Sequence, residues 1–135
     1  MGRGDPQTGS AYRNFLRGLQ LRHFGEEEIA GYADQVRKGV RNSIPPPQHW
    51  KNLIPTIWVV DMLRAHLGKP IVLTSIYRSP DYNLAVGGAA QSQHLRNNAI
   101  DFQVRGASPS EAAAVLKRWR GAGLFEGGIG VYATF

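Results

Sequence analysis

Cysteine is absent from the 135 residues, so the chain can build neither a disulfide nor a thiolate metal site. Long apolar runs are missing too: none approaches the roughly 20 residues that a membrane-spanning helix needs. The opening Met1-Gly2-Arg3-Gly4-Asp5-Pro6 has no apolar stretch of the kind that begins a secretion signal. That predicts a protein that stays in the cytoplasm of the cell that makes it, or a phage-encoded one released to the cell wall by lysis. A basic tail is also lacking. Residues 1–50 hold seven basic and five acidic groups and residues 51–135 hold nine and five, so the formal charge of +6 is spread along the chain. A field of that sign favours polyanions such as nucleic acid or an anionic cell wall, but without a concentrated patch it does not by itself argue for a nucleic-acid partner.

What is present is enough for one domain with a real core. Hydrophobic residues make up 42% and aromatics 10%, which excludes a disordered chain. Tyr12, Phe15, Leu16 and Leu19 keep helical spacing, and so do Ile29, Tyr32, Ala33, Val36 and Val40. Glu26-Glu27-Glu28 falls where the second helix would start, and three carboxylates there read as a solvated first turn facing the positive end of the helix dipole. Pro45-Pro46-Pro47 predicts a stiff connector over 45–49, between a helical lobe at 1–44 and a core at 50–135.

Pro55 and Gly68-Lys69-Pro70 bracket a third helix with Ile57, Val60, Leu63 and Leu67 on its apolar side, where Trp58 and Met62 would widen the buried face. His66 belongs to its last turn, and His23 and His49 are no better placed as ligands. Ile71–Tyr77 is β-branched and aromatic and reads as a central strand. Ser79-Pro80 caps a short helix that Gly87-Gly88 stops, and Ser108-Pro109-Ser110-Glu111 is a capping box that launches another, closed by Gly121 and Gly123. Lys117, Arg118 and Arg120 suit the negative end of that helix, and Trp119 reads as core. Gly127-Gly128-Ile129-Gly130 lacks the lysine and hydroxyl of a phosphate loop and predicts the lead-in to a strand over Ile129–Tyr132.

The stretch that carries chemistry is Ser92-Gln93-His94-Leu95-Arg96-Asn97-Asn98-Ala99-Ile100-Asp101. An imidazole and a carboxylate seven positions apart cannot share a helix face, where neighbours fall three or four apart. The interval suits a loop histidine that turns at Asn97-Asn98 and runs into a strand. There Ile100, Phe102 and Val104 alternate with Asp101 and Gln103, so one face is buried and Asp101 is presented on the other. Imidazole nitrogen and carboxylate oxygen are a mixed pair that zinc accepts. Arg78, at the end of the preceding strand, can donate to a developing oxyanion or to a substrate carboxylate.

Ser92, His94, Asn97, Ala99 and Asp101 resemble the Ser-x-His-x-x-Gly-x-Ala-x-Asp signature of zinc D-alanyl-D-alanine carboxypeptidases, the fifteenth metallopeptidase family, related to hedgehog-type domains and some phage endolysins. The resemblance extends to Thr74–Pro80, to Asn83 with Val86-Gly87-Gly88, and to Gly127–Tyr132, and covers about Trp50 to Phe135. Asn97 stands where the family has glycine, and asparagine is the side chain that best tolerates the positive φ a glycine would supply.

The resemblance implies an α+β domain with a small, mainly antiparallel sheet packed with helices. It implies zinc held by His94 and Asp101, a catalytic Arg78, and substrate contacts near Ser92 and Gln93, although Ser92 could equally serve its own turn. The implied partners are peptidoglycan stem peptides, cut at D-Ala-D-Ala or L-Ala-D-Glu bonds. In the family the Gly-Gly-Ile-Gly-x-Tyr run leads on to a histidine that is the third ligand, with the general base nearby. The sequence reaches neither before Phe135, which predicts a peptidase with a truncated site. The rival expectation is a metal-deficient module that binds cell wall or a protein without turnover.

Overall fold

The computed structural model describes residues 6–129. Among these residues, five α-helices and two small antiparallel sheets make an α+β fold, as the sequence predicts. Helix α1 (Pro6–Gly18) puts Tyr12 and Leu16 into the core, and α2 (Glu26–Ala30) packs against it. The three glutamates are spent locally. Glu26 pairs with Arg17, Glu27 with Arg13, and the Glu28 carboxylate accepts from the Gly25 amide as a helix cap.

Helical spacing misleads beyond Ala33. A 3₁₀ turn ends at Asp34, and Val36 and Val40 lie in a hairpin of β1 (Val36–Arg37) and β2 (Val40–Arg41). The turn between them, Lys38-Gly39, has φ of 52° and 78°, the left-handed pair that matches the twist of a two-residue hairpin. Two valines four apart satisfy a helix template equally well, so the turn residues decide.

Pro46 is extended (φ −57°, ψ 146°), and Pro47 already starts a 3₁₀ turn, Pro47–Asn52, that feeds α3 (Leu53–Leu67). Leu53, Ile57, Val60 and Leu63 are buried, and Gly68 closes the helix at φ 65°. Trp58 and Met62 do not widen the buried face: they are 52% and 43% exposed, because they sit on the opposite side of α3. The rings of His66 and Trp119 meet edge-on at 5.5 Å, and Trp119 packs against the core.

Strand β3 (Ile71–Ser75) pairs antiparallel with β4 (Asp101–Val104), in the register Ile71↔Val104, Leu73↔Phe102 and Ser75↔Asp101. Among the described residues β3 has this one neighbour, and Ile76 and Tyr77 beyond it stay buried. The register shifts between Leu73 and Ser75, leaving Thr74 as a bulge that re-aims the strand end. Helices α4 (Pro80–Ala85) and α5 (Pro109–Gly121) start at the two predicted serine caps, each serine accepting an amide at 3.2 Å. The expected strand over Ile129–Tyr132 lies, apart from Ile129, outside the described residues.

One buried residue joins the N-terminal elements to the sheet end. Asn42 is 1% exposed. Its amide nitrogen donates to the Tyr77 carbonyl (2.8 Å) and the Tyr32 carbonyl (2.9 Å), and its oxygen accepts from the Ser79 amide (2.9 Å). The Tyr77 and Ser79 groups flank Arg78 on both sides. Asn42→Ala would strand three backbone groups, and at about 1 kcal/mol or more each the expected loss is about 3 kcal/mol of unfolding free energy. Urea denaturation measures it, and a loss under about 1 kcal/mol would show that water replaces the asparagine.

Candidate functional site

Three segments converge at the open end of the β3–β4 pair. The first is the end of β3 and the residues after it, Ser75 to Arg78. The second is the 3₁₀ turn Gln93–Arg96, and the third is the first residue of β4, Asp101. Two bonds staple the first two together. The His94 ring Nδ1 lies 2.5 Å from the Ile76 carbonyl oxygen, and the Arg78 amide donates to the His94 carbonyl at 3.1 Å.

The turn that carries His94 is capped by Ser92, whose hydroxyl accepts the His94 amide at 3.2 Å. The Gln93 carboxamide oxygen accepts from Asn98 at 3.2 Å. Asn97 ends the turn at φ 62°, the left-handed conformation predicted for the residue standing in place of glycine. Its side chain does more than tolerate that conformation. It is fully buried, its nitrogen donates to the His49 carbonyl at 3.1 Å, and its oxygen has no partner of good geometry. The Tyr12 hydroxyl lies beside it: burial pushes the Tyr12 pKa up, and a hydrogen bond with Asn97 opposes that rise.

Asn97→Ala combines left-handed strain of about 1–2 kcal/mol with a lost hydrogen bond of about 1 kcal/mol. Asn97→Gly forfeits the bond and leaves a void but relieves the strain. The alanine variant is therefore expected to unfold at lower urea than the glycine variant. Equal midpoints would show that the backbone conformation does not matter there.

The ring of His94 is 7% exposed as a residue, and its Nε2 lies 3.3 Å from Asp101 Oδ2. The Arg78 Nη2 lies 3.6 Å from the same oxygen. Asp101 titrates below the ordinary carboxylate range. The side-chain hydrogen bond from His94 is the largest cause, burial opposes it, and the charges of His94 and Arg78 add to the lowering. A carbonyl oxygen can only accept, so the Ile76 contact assigns the Nδ1 proton and leaves Nε2 to face the carboxylate. A lone pair on Nε2 would repel Oδ2 at that distance. A metal cation in place of a ring proton would turn that repulsion into attraction to both atoms.

The separation suits a cation. Zinc bonds of about 2.0–2.1 Å to nitrogen and oxygen, held at a tetrahedral angle, put the two donor atoms about 3.3–3.4 Å apart. The Nδ1 contact to a backbone carbonyl is the outer partner that ligating histidines commonly have. His94 and Asp101 therefore fit as two ligands of a metal. A catalytic zinc takes three from the protein, and among the described residues no group of three or more His, Cys, Asp or Glu is placed to hold an ion.

A cavity of about 1400 Å³ opens beside the pair, lined by Gln93, His94 and Asp101 together with Trp58, Met62 and Phe125. The exposed side of α3 thus faces the site. Asp101 and Glu126 are the two carboxylates on its wall, and Arg78 does not line it but stands behind Asp101. Sequence reasoning finds His94, Asp101 and Arg78, and the structure brings the three together. It misses Ser75, whose hydroxyl accepts from Arg78 Nε at 3.2 Å and whose position opposite Asp101 depends on the bulge at Thr74.

An α+β fold that sets an imidazole and an ionised carboxylate on the wall of one cavity, with a guanidinium beside the carboxylate, has the parts of a metallohydrolase. The family model described as Peptidase M15 matches residues 22–135, and the chain belongs to that peptidase family. No curated protein matches the chain, and no solved structure does.

Proposed function

We propose that this chain is a zinc-dependent peptidoglycan peptidase that hydrolyses stem-peptide bonds of the D-Ala-D-Ala or L-Ala-D-Glu kind. The observation that carries the reading is the 3.3 Å approach of His94 Nε2 to Asp101 Oδ2, with Nδ1 already committed to Ile76. His94 and Asp101 would hold zinc as two of its protein ligands. Bound there, zinc would lower the pKa of a water toward about 7 and polarise the substrate carbonyl.

The remaining work falls to the chain. Asp101 stays ionised, kept so by His94 and Arg78, and is ready to ligate near neutral pH. Arg78 supplies guanidinium N–H donors to the oxyanion that forms as water adds to the carbonyl, or to a substrate carboxylate. The peptide C–N bond then breaks, and the amine leaves with the proton that the attacking water gives up. Gln93, on the cavity wall, orients the bound peptide, while the Ser92 oxygen is already engaged by the His94 amide. The peptide itself would lie along the cavity between α3 and β4. No helix among the described residues is long and apolar enough to cross a membrane, and the substrate would be met at the cell wall.

The test is zinc analysis of the full natural chain together with hydrolysis of a D-Ala-D-Ala peptide and of an L-Ala-D-Glu peptide. Near-stoichiometric zinc and cleavage of one of them is the expected result. Retained zinc with neither cleaved would leave a binding module in place of an enzyme.

A further inference from the structure

We propose that Asn83 is a positioning residue for Arg78, and that Gly88 lacks a side chain so that the two can meet. The inference rests on the reading of Arg78 as the group that stabilises the oxyanion. The guanidinium is held along two of its edges. Its Nε donates to Ser75 Oγ at 3.2 Å and its Nη1 donates to Asn83 Oδ1 at 3.1 Å, which leaves Nη2 turned toward Asp101. A flexible arginine carries about 2 kcal/mol of rotamer entropy, and a planar fork fixed at two nitrogens has much of it removed before substrate arrives.

The Asn83 carboxamide can take only one orientation. Its Nδ2 donates to the Ala89 carbonyl at 3.0 Å, an acceptor-only partner, so Oδ1 must face the donor-only guanidinium. Asn83 is 4% exposed, and its own carbonyl accepts the Gly88 amide at 2.9 Å. Ser79-Pro80 places it: the cap starts α4, and residue 83 falls one turn later, with its amide on the Ser79 carbonyl at 2.8 Å.

Gly88 completes the clamp. A Cβ there would lie 2.0 Å from Asn83 Oδ1 and 2.8 Å from Arg78 Nη1, closer than real contacts allow. Both atoms are tied, so neither can move aside without losing its bond. Gly87, by contrast, has open space around it and is a glycine for its φ of 75°. The two adjacent glycines thus serve different ends.

Two readouts test the proposal. In ¹⁵N NMR of the guanidinium groups, Arg78 is expected to show separate, slowly exchanging Nη signals. Asn83→Ala and Gly88→Ala should merge them, while Asn83→Asp, which keeps an acceptor, should preserve them. In the full natural chain, Asn83→Ala is expected to lower kcat about tenfold with KM little changed, within the range for outer partners that orient a reacting group. In an Arg78→Ala background the same substitution should cost nothing further, because its effect passes through the arginine.

Equal losses of kcat in both backgrounds, or Nη signals indifferent to all three substitutions, would overturn the proposal and leave Asn83 a merely structural residue. Should Asn83→Ala fail to fold, Gly88→Ala and Asn83→Asp carry the same comparison. Full kcat in Arg78→Ala alone would instead overturn the functional reading of Arg78, and the NMR comparison would still report whether the clamp exists.

Discussion

Replacing His94 by alanine in the full natural chain is expected to remove bound zinc and abolish peptide hydrolysis, with the fold retained. The ring contributes one ligand atom, Nε2, and one anchor, Nδ1 on the Ile76 carbonyl. Loss of an outer partner of a metal ligand typically costs about 10–100-fold in metal affinity or activity, and loss of the ligand itself should exceed that. Metal analysis after dialysis and kcat/KM for a stem peptide measure both effects. His94→Gln is the sharper comparison, since a carboxamide can occupy the space without offering an imidazole. Zinc retained at one per chain in the alanine variant would remove His94 from the metal site.

Arg78→Ala should separate two roles that the geometry keeps close together. The guanidinium is 3.6 Å from Asp101 Oδ2 and does not line the cavity, so it could act on the substrate or only on the carboxylate. The account gives it the oxyanion. Removing one preorganised donor of that kind costs about 10²–10³ in kcat, or about 3–4 kcal/mol of transition-state stabilisation. Zinc content should stay unchanged, because Arg78 supplies none of the ligand atoms and acts on Asp101 only across 3.6 Å. If zinc affinity falls in parallel with kcat, Arg78 works by holding Asp101. Arg78→Lys should recover little, since an ammonium cannot reproduce the fork that Ser75 and Asn83 hold.

Local chemistry made much of the fold legible. Ser79-Pro80, the capping box at Ser108 and Glu111, and Gly68 after Leu67 each act within one turn of chain, and each marks an observed boundary. The alternation of Ile100, Phe102 and Val104 put Asp101 on the correct face for the same reason: a strand's period is two whatever surrounds it.

Misreadings arose where a local pattern fitted two structures or where burial depended on distant partners. Val36 and Val40 fit a helix until the left-handed Lys38-Gly39 pair turns the chain. Trp58 and Met62 are apolar, but residue type does not say which side of α3 meets the core. The site divides in the same way. Its reactive groups stood out because imidazole, carboxylate and guanidinium are few and chemically distinct. Its supports did not, because Asn42 and Asn83 bond to groups that only the fold brings near. In sequence an asparagine reads as a turn residue, and nothing local reports that it is buried and fully bonded.

The central claim is that Nε2 of residue 94 and a carboxylate oxygen of residue 101 share one divalent cation. It is tested most directly by long-range ¹H–¹⁵N NMR of the histidine rings in the full natural chain as zinc is added. The account predicts that the Nε2 signal of His94 moves to a metal-bound position while its Nδ1 proton persists, that His23, His49 and His66 stay where they were, and that Asp101→Ala weakens the change. An Nε2 signal unmoved by saturating zinc, or moved equally with and without the Asp101 carboxylate, would contradict it.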